Sequence, residues 1–369
     1  MQSMATKINF DVGVINKLDV SKFRNVLVLT GTQYSLEIFE KKIRPLIKKT
    51  NCHVFTSIPV HLTDTIVYSV MNFAADKKID CIISVGVESV MDCGRLVSLL
   101  LSHGGFLHDY LPDGRYGYYG ITPYMIHHIT VPIMPAAGYE ISSYASFRIN
   151  GDKQMLISPY LIPKATYIDP CIMTNLPPDL WAVLGFDCFT TALMAYVSAY
   201  ANPTSDAFAE QALISYAEFH KKLMQEPNNI EYIKHAAIAS INSFLAANYS
   251  GTGPVHAIAD VLSAKFGFRY GTALAMVCPE VCAFLYNANK QRFDKVVHML
   301  GEKGGSSAAI KNAISKLIRD KGIQLPSLTG KLSSGEIEKL ARDSINYAMS
   351  GSIKKVTEQD VVKILGRLL

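Results

Sequence analysis

The sequence predicts two domains, an α/β domain with a mostly parallel sheet followed by an all-helical domain. The chain has 369 residues, more than one ordinary core uses. Its first half alternates short β-branched runs with segments of helical period, whereas the part after about Pro178 shows helical period alone. Because 49% of the residues are apolar and 18% are charged, both cores can be filled. We place the boundary after Pro170, which gives domains 1–170 and 171–369.

The predicted strands of the first domain are apolar runs, and two of them lead into a glycine. These runs are 25–30, 53–58, 79–85 and a strand that begins at 129–132. Between them, residues 35–49, 62–76 and 90–101 carry apolar side chains at helical spacing. A β-α-β-α-β order of this kind indicates an open, mostly parallel sheet with right-handed crossovers.

The second domain is predicted to be helical because Ala and Leu recur at three- and four-residue spacing. The predicted helices are 180–200, 205–225, 229–248, 255–265, 271–287, 294–300, 306–321, 334–348 and 358–368.

Composition excludes several classes of function. The net charge is +5 without a basic stripe interleaved with aromatic residues, so we expect no nucleic-acid partner. The sequence has no signal-like N-terminus and no apolar run of membrane-spanning length, so we expect no membrane partner. Seven cysteines in apolar runs without a CxxC pair predict reduced, buried thiols and a cytoplasmic protein. For His127 and His128 we expect a surface or loop role.

Several short motifs occur in order along the chain. They are Ile168-Asp169-Pro170, Gly185-Phe186-Asp187, Asn202-Pro203-Thr204, Val255-His256-Ala257 and Gly271-Thr272-Ala273. Together they resemble the link and helix motifs of the iron-containing alcohol dehydrogenase family, within the dehydroquinate synthase-like superfamily. The resemblance implies a Rossmann-like first domain, a helical second domain and the dehydroquinate synthase-like fold.

The resemblance also implies a metal site made by one Asp and three His. These positions fall on Asp187, Thr191, His256 and Tyr270, so two imidazoles are replaced. A neutral hydroxyl is a poor ligand for Fe or Zn, and tyrosine keeps its proton at neutral pH, so we expect neither metal. Three interpretations stay open. Asp187, His256 and Tyr270 form a metal-free proton-donating cluster, His256 is a satisfied histidine paired with Asp187, or a metal is still bound.

The nucleotide-binding turn of the family falls on Gly86-Val87-Glu88-Ser89. The resemblance implies cofactor contacts at Gly86, Ser89, Asp92, Gly138 and Gly31, the last in place of an Asp that disfavours NADP. Either NADH or NADPH is therefore expected. Val87 and Glu88, however, introduce a side chain and a carboxylate where a phosphate approaches.

The sequence favours an NAD(P)H-dependent oxidoreductase that acts without metal on a small carbonyl, alcohol or imine in the interdomain cleft. His256, Tyr270 and Asp187 are its candidate catalytic residues. The alternatives are a non-redox enzyme and a non-catalytic binding protein on the same scaffold. The resemblance further implies a homodimer.

Overall fold

The computed structural model describes residues 6–135, 137–345 and 349–368. The chain divides into two compact units. The first comprises Met1–Met134 and Tyr139–Met173, and the second comprises Pro135–Gly138 and Thr174–Leu369. The segment Pro135–Gly138 thus groups with the helical unit, although it lies within the first domain in sequence.

The first unit contains a parallel sheet, as predicted, and the described residues give it six strands, two more than the sequence predicted. Its strands are β1 (Lys7–Phe10), β2 (Asn25–Thr30), β3 (Asn51–Phe55), β4 (Cys81–Gly86), β5 (His127–Pro132) and β8 (Ala165–Ile168), in the order β1-β8-β5-β4-β2-β3. The helices α1 (Gln33–Ile38), α2 (Asp64–Ala74) and α3 (Glu88–His103) follow β2, β3 and β4. The strands β2 and β4 are buried and mostly apolar at their centres, with Ser84 of β4 as a polar exception, which is typical of a parallel sheet covered on both faces.

The pairing register brings the ends of β2 and β4 to one edge of the sheet. Thr30, the last residue of β2, pairs with Val85, and the next residue of each strand is a glycine, Gly31 or Gly86. In an open α/β sheet the carboxyl ends of the strands form the edge where ligands bind.

A two-stranded antiparallel sheet joins the first unit and was not predicted. Strands β6 (Tyr144–Ile149) and β7 (Asp152–Ile157) are connected by Asn150 and Gly151. Both connecting residues have positive φ, 52° and 91°, as a tight hairpin turn requires. An Asn-Gly pair between two strand-like runs is the sequence signal that identifies this hairpin.

The second unit is helical, as predicted. Its described helices are α4 (Pro178–Tyr196), α5 (Pro203–Gln225), α6 (Ile230–Ser250), α7 (Gly253–Phe266), α8 (Tyr270–Leu285), α9 (Lys290–Met299), α10 (Ser307–Asp320), α11 (Ser334–Asp343) and α12 (Glu358–Gly366). Capping side chains fix many starts, as Asn202 does for α5 and Ser333 for α11. The helix predicted over 334–348 ends at Asp343, and residues 346–348 lie outside the described residues.

Among the described residues one helical stretch, Tyr270–Ala288, is long and apolar enough to cross a membrane by length and composition. Of its most apolar window 72% is buried within the protein, which is what the core helix of a folded domain also shows. This stretch is therefore weak evidence for a membrane span.

Two sequence expectations about single side chains are wrong. His128 is 4% exposed, and its Nε2 lies 2.9 Å from Oγ of Ser84 in the sheet core. Helix α3 comes close enough to this pair that a side chain at Gly94 would collide with it. Cys171 was expected to be buried and is exposed.

Candidate functional site

The four positions of the implied metal site come together in the helical unit. Asp187 and Thr191 lie one turn apart on α4, so both project from the same face of that helix. His256 lies in the first turn of α7, and Tyr270 begins α8. Asp187, Thr191 and His256 are buried, and Tyr270 is half-buried.

Thr191 lies between the carboxylate and the imidazole. Its Oγ1 is 3.3 Å from Oδ1 of Asp187 and 3.0 Å from Nε2 of His256. The other ring nitrogen of His256, Nδ1, lies 3.0 Å from the carbonyl oxygen of Thr252. Asp187 and His256 are therefore connected through the threonine hydroxyl.

The chemistry of these contacts defines where the protons are. A carbonyl oxygen only accepts, so Nδ1 of His256 carries a proton and donates it to Thr252. A single hydroxyl proton on Thr191 can serve only one of its two neighbours at a time. Either a protonated Asp187 donates to Thr191, which then donates to neutral His256, or an imidazolium donates to Thr191, which then donates to the carboxylate. Both arrangements satisfy every group.

Burial favours the neutral form of Asp187. It raises the pKa of this carboxyl to about 7, and the nearby Asp260 carboxylate adds to the effect, while the hydrogen bond from Thr191 opposes it. Near pH 7 the group is thus divided between its protonated and ionised forms, which is the range that suits a general acid.

The residues do not fit a catalytic Fe or Zn ion. Thr191 supplies a neutral hydroxyl that is already engaged with both remaining donors, Asp187 and His256. The ring centroid of Tyr270 lies 6.3 Å from that of His256, where the family pattern has a third imidazole. No group of three or more His, Cys, Asp or Glu side chains that could hold a metal occurs within the described ranges.

Two of the expected cofactor glycines converge at the carboxyl edge of the sheet. A Cβ on Gly31 would lie 2.9 Å from Cγ2 of Val90, and a Cβ on Gly86 would lie 2.7 Å from the same atom. Both glycines therefore let α3 approach the strands closely. The N-cap residue of α3, Val87, makes no side-chain capping bond, and Oγ of Ser89 is buried without a hydrogen-bond partner. This helix start can receive an anion.

Asp92, the next expected cofactor contact, is used inside the protein. Its Oδ1 accepts from Arg95 at 2.9 Å and its Oδ2 accepts from the amide of Ser146 at 3.0 Å. Arg95 also donates to the carbonyls of Tyr139 and Ser142. Burial raises the pKa of Asp92 to about 6, although Arg95 and the Ser146 amide favour the carboxylate. Asp92 and Arg95 therefore connect α3 to residues 139–142, the segment before the β6–β7 hairpin.

Gly138, another expected cofactor contact, belongs to the helical unit. Its amide donates to Oγ of Ser240 at 2.9 Å, and its φ is 76°. A Cβ on Gly138 would lie 2.1 Å from Cβ of Phe244. The glycine therefore has a packing role against α6, which contains both partners.

The bridging role of Thr191 was not predicted from the sequence. Thr191 was expected only as a weak metal ligand, and one interpretation paired Asp187 directly with His256. The detectable signal was the i, i+4 spacing from Asp187, since a hydroxyl at that spacing reaches a carboxylate on the same helix face.

Comparison with known proteins gives a consistent result over both units. Residues 5–170 match the family model described as iron-containing alcohol dehydrogenase, and residues 181–369 match that of the Fe-containing alcohol dehydrogenase family, C-terminal. The NAD-dependent methanol dehydrogenase of Bacillus methanolicus is 27% identical over 315 residues, which cover 83% of this chain and 81% of that protein.

Solved structures show the same fold. A 1,3-propanediol oxidoreductase superimposes with a TM-score of 0.89 at 22% identity, covering 98% of each chain. The sulfoacetaldehyde reductase of Bifidobacterium kashiwanohense, solved in complex with NAD+, superimposes with a TM-score of 0.87 at 18% identity, covering 100% of this chain and 98% of that one.

Proposed function

The chain belongs to the iron-containing alcohol dehydrogenase family, and from this premise we propose that it is an NAD(P)H-dependent oxidoreductase. It interconverts a small alcohol and its carbonyl compound, or reduces an imine, without a catalytic metal. The observation that supports the proposal is the hydrogen-bonded bridge of Thr191 between Asp187 and His256, at the positions where the family pattern has metal ligands.

Cofactor binding is supported at the start of α3. Gly86 lets α3 begin close to the end of β4, and the 16-residue helix directs the positive end of its dipole to this edge. Gly86 and the backbone at Ser89 would hold the pyrophosphate, and Gly31 leaves room for either NADH or NADPH. When bound, the reduced nicotinamide supplies the hydride for the substrate carbon.

The protein supplies the proton for the substrate oxygen. Asp187 holds a proton up to about neutral pH, and Thr191 connects it to Nε2 of His256. When the carboxyl gives up its proton to the substrate, the Thr191 hydroxyl turns to donate to the carboxylate that remains, and a proton from solvent restores the acid after turnover. Tyr270, half-buried beside His256, offers a second O–H donor to the developing alkoxide.

A second candidate is a non-redox enzyme or a non-catalytic binding protein on the same scaffold. It is favoured by the internal use of two expected cofactor contacts, since Asp92 is paired with Arg95 and Gly138 is packed on Phe244. Neither residue is available to a dinucleotide.

Titration of the purified, metal-analysed protein with NADH and NADPH, followed by reduced-nicotinamide fluorescence, separates the two candidates. We expect saturable binding at micromolar concentrations, and then turnover with a panel of small aldehydes, ketones and imines. Absence of binding to either cofactor at millimolar concentrations contradicts the oxidoreductase proposal and favours the second candidate. We further propose a cytoplasmic homodimer with a small-molecule substrate, a state that sedimentation velocity measures.

A further inference from the structure

A cavity lies within the helical unit, among α4, α5 and α6. Its empty space, counted together with the open solvent at its mouth, is about 360 Å³. Three of its lining side chains are Trp181, Tyr216 and His220, which are 1%, 3% and 4% exposed. Nε1 of Trp181, the hydroxyl of Tyr216 and Nδ1 of His220 are each buried without a hydrogen-bond partner in the described structure.

The hydrogen bond of His220 defines its protonation. Nε2 lies 2.9 Å from the carbonyl oxygen of Trp181, so Nε2 carries the proton and Nδ1 presents a lone pair. Burial lowers the pKa of His220 to about 3, and Lys321 adds to this, so the ring is neutral at pH 7. A Cβ on Gly185 would lie 2.0 Å from Nε2, so the ring fits only because that residue is glycine.

Three unpaired polar atoms around one cavity indicate a missing partner. Buried polar groups in folded proteins nearly always have a hydrogen-bond partner, because losing water without replacing it is unfavourable. Here a donor, an acceptor and a hydroxyl that can be either are present together. The other lining residues include the apolar Leu184, Leu223 and Ala239.

The lining itself carries no charge. It contains no carboxylate, Lys or Arg, so a cation would lose its hydration without an opposite charge. Lys321, whose Nζ lies 5.4 Å from the centroid of the Tyr216 ring, is outside the lining. We propose that this cavity binds a small uncharged alcohol, whose hydroxyl exchanges hydrogen bonds with Trp181, Tyr216 and His220 and whose alkyl part contacts the apolar lining. Cys188 lines this cavity and follows Asp187 directly, so the two side chains diverge by about 100° around α4. The site is separate from the Asp187 cluster and independent of the proposed oxidoreductase function.

Trp181 is the only tryptophan of the chain, so all tryptophan fluorescence of the protein comes from the lining of this cavity. The unmodified protein is titrated with 1-butanol and with 1-fluorobutane, which has a similar size but no hydroxyl. We expect a saturable change with 1-butanol and about tenfold weaker binding of 1-fluorobutane. Ala236→Leu, at a half-buried lining position, should abolish the fluorescence change with 1-butanol. His220→Phe should weaken 1-butanol binding by about tenfold. Asp187→Asn should leave the fluorescence change intact.

Circular dichroism and Tm establish that each variant is folded. If a variant does not fold, the comparison of 1-butanol with 1-fluorobutane on the unmodified protein still tests the proposal. No saturable change with 1-butanol means that the cavity holds water only and overturns the proposal, as does equal binding of 1-fluorobutane. A response that survives in folded Ala236→Leu also overturns it, because the alcohol then binds elsewhere.

Discussion

The hydroxyl of Thr191 lies 3.0 Å from Nε2 of His256, at the position where a metal ligand would be expected from the family pattern. The same hydroxyl contacts the carboxylate of Asp187. One side chain therefore gives two buried polar groups a shared hydrogen-bond partner, and no metal is needed for that purpose.

Replacement of Thr191 by Val tests this bridge. The methyl group preserves the shape but leaves Asp187 and His256 without their shared partner, so we expect a loss of about 1–3 kcal/mol in the free energy of unfolding. Urea denaturation measures it. The reductase turnover should fall as well.

Thr190→Val is the matched control, because the Oγ1 of Thr190 is buried on the same helix without a hydrogen-bond partner. This change should be neutral or slightly stabilising. Equal losses in the two variants would show that the bridge contributes nothing specific.

The raised pKa of Asp187 predicts a pH-dependent stability. The folded state keeps this proton up to about pH 7, whereas the unfolded chain releases it near 3.8. Between these values the folded state binds more protons, so its stability falls as pH rises, and below 3.8 the effect is absent. The Asp187→Asn variant has no ionisable group at this position, so its stability does not fall in this way as pH rises. Relative to the native protein, it should gain stability between pH 4 and 8, by up to about 4 kcal/mol.

Urea unfolding of both proteins at several pH values measures this difference. Comparing the two cancels the titration of other buried carboxyls such as Glu140, whose pKa burial raises to about 7. A difference that does not change with pH is incompatible with a buried, protonated Asp187.

Restoring the implied metal ligands should create a metal site. In the double variant Thr191→His, Tyr270→His, two imidazoles join Asp187 and His256, and three histidines with one carboxylate are a good donor set for Zn. We expect about one Zn per chain after dialysis, and a sub-stoichiometric amount in the native protein. Elemental analysis measures both. The single variants should retain less metal than the double variant. Equal metal content in the native and double-variant proteins would show that the native residues already hold the metal.

Much of the fold could be predicted from the sequence because it depends on local patterns. Strand β2 (Asn25–Thr30) was predicted with its observed first and last residues. An apolar, β-branched run that ends before Gly31 is compatible with few structures other than a buried strand. Strands β1 and β8 were missed. Each has only four residues, too few for a period to be recognised.

The candidate site could be predicted only in part, because side chains that match a motif can acquire other partners in the fold. Ser89 and Gly86 lie where the motif implies. Asp92 matched its motif equally well, yet the Ser146 amide that its Oδ2 accepts from is positioned by the packing of α3 on β6, which no spacing in the sequence encodes. Its other partner, Arg95, lies three residues further along the same helix. The cavity of Trp181 was invisible for the same reason, since its lining comes from three separate helices.

Gly138→Ala should destabilise the helical unit. Alanine at this position would have to adopt a positive φ, and its Cβ would collide with Phe244. We therefore expect the free energy of unfolding to fall by about 3 kcal/mol or more. Gly267→Ala is the control, because Gly267 has a similar φ of 68° but no neighbour within 4 Å of the added atom. It should lose only about 1 kcal/mol. Thermal unfolding compares the two. Similar losses would mean that the contact with Phe244 is unimportant.

Glu88→Gln should strengthen cofactor binding. Glu88 is the first residue of α3, where its carboxylate competes with a phosphate for the positive end of the helix dipole. Neutralising it removes a like-charge repulsion, so we expect the Kd for NADH to fall by about three- to tenfold at low salt, with a smaller gain at high salt. Glu358→Gln is the control, since Glu358 also begins a helix, α12, in the other unit. An unchanged Kd in Glu88→Gln, with intact binding in the control, would show that the phosphates do not approach this helix end.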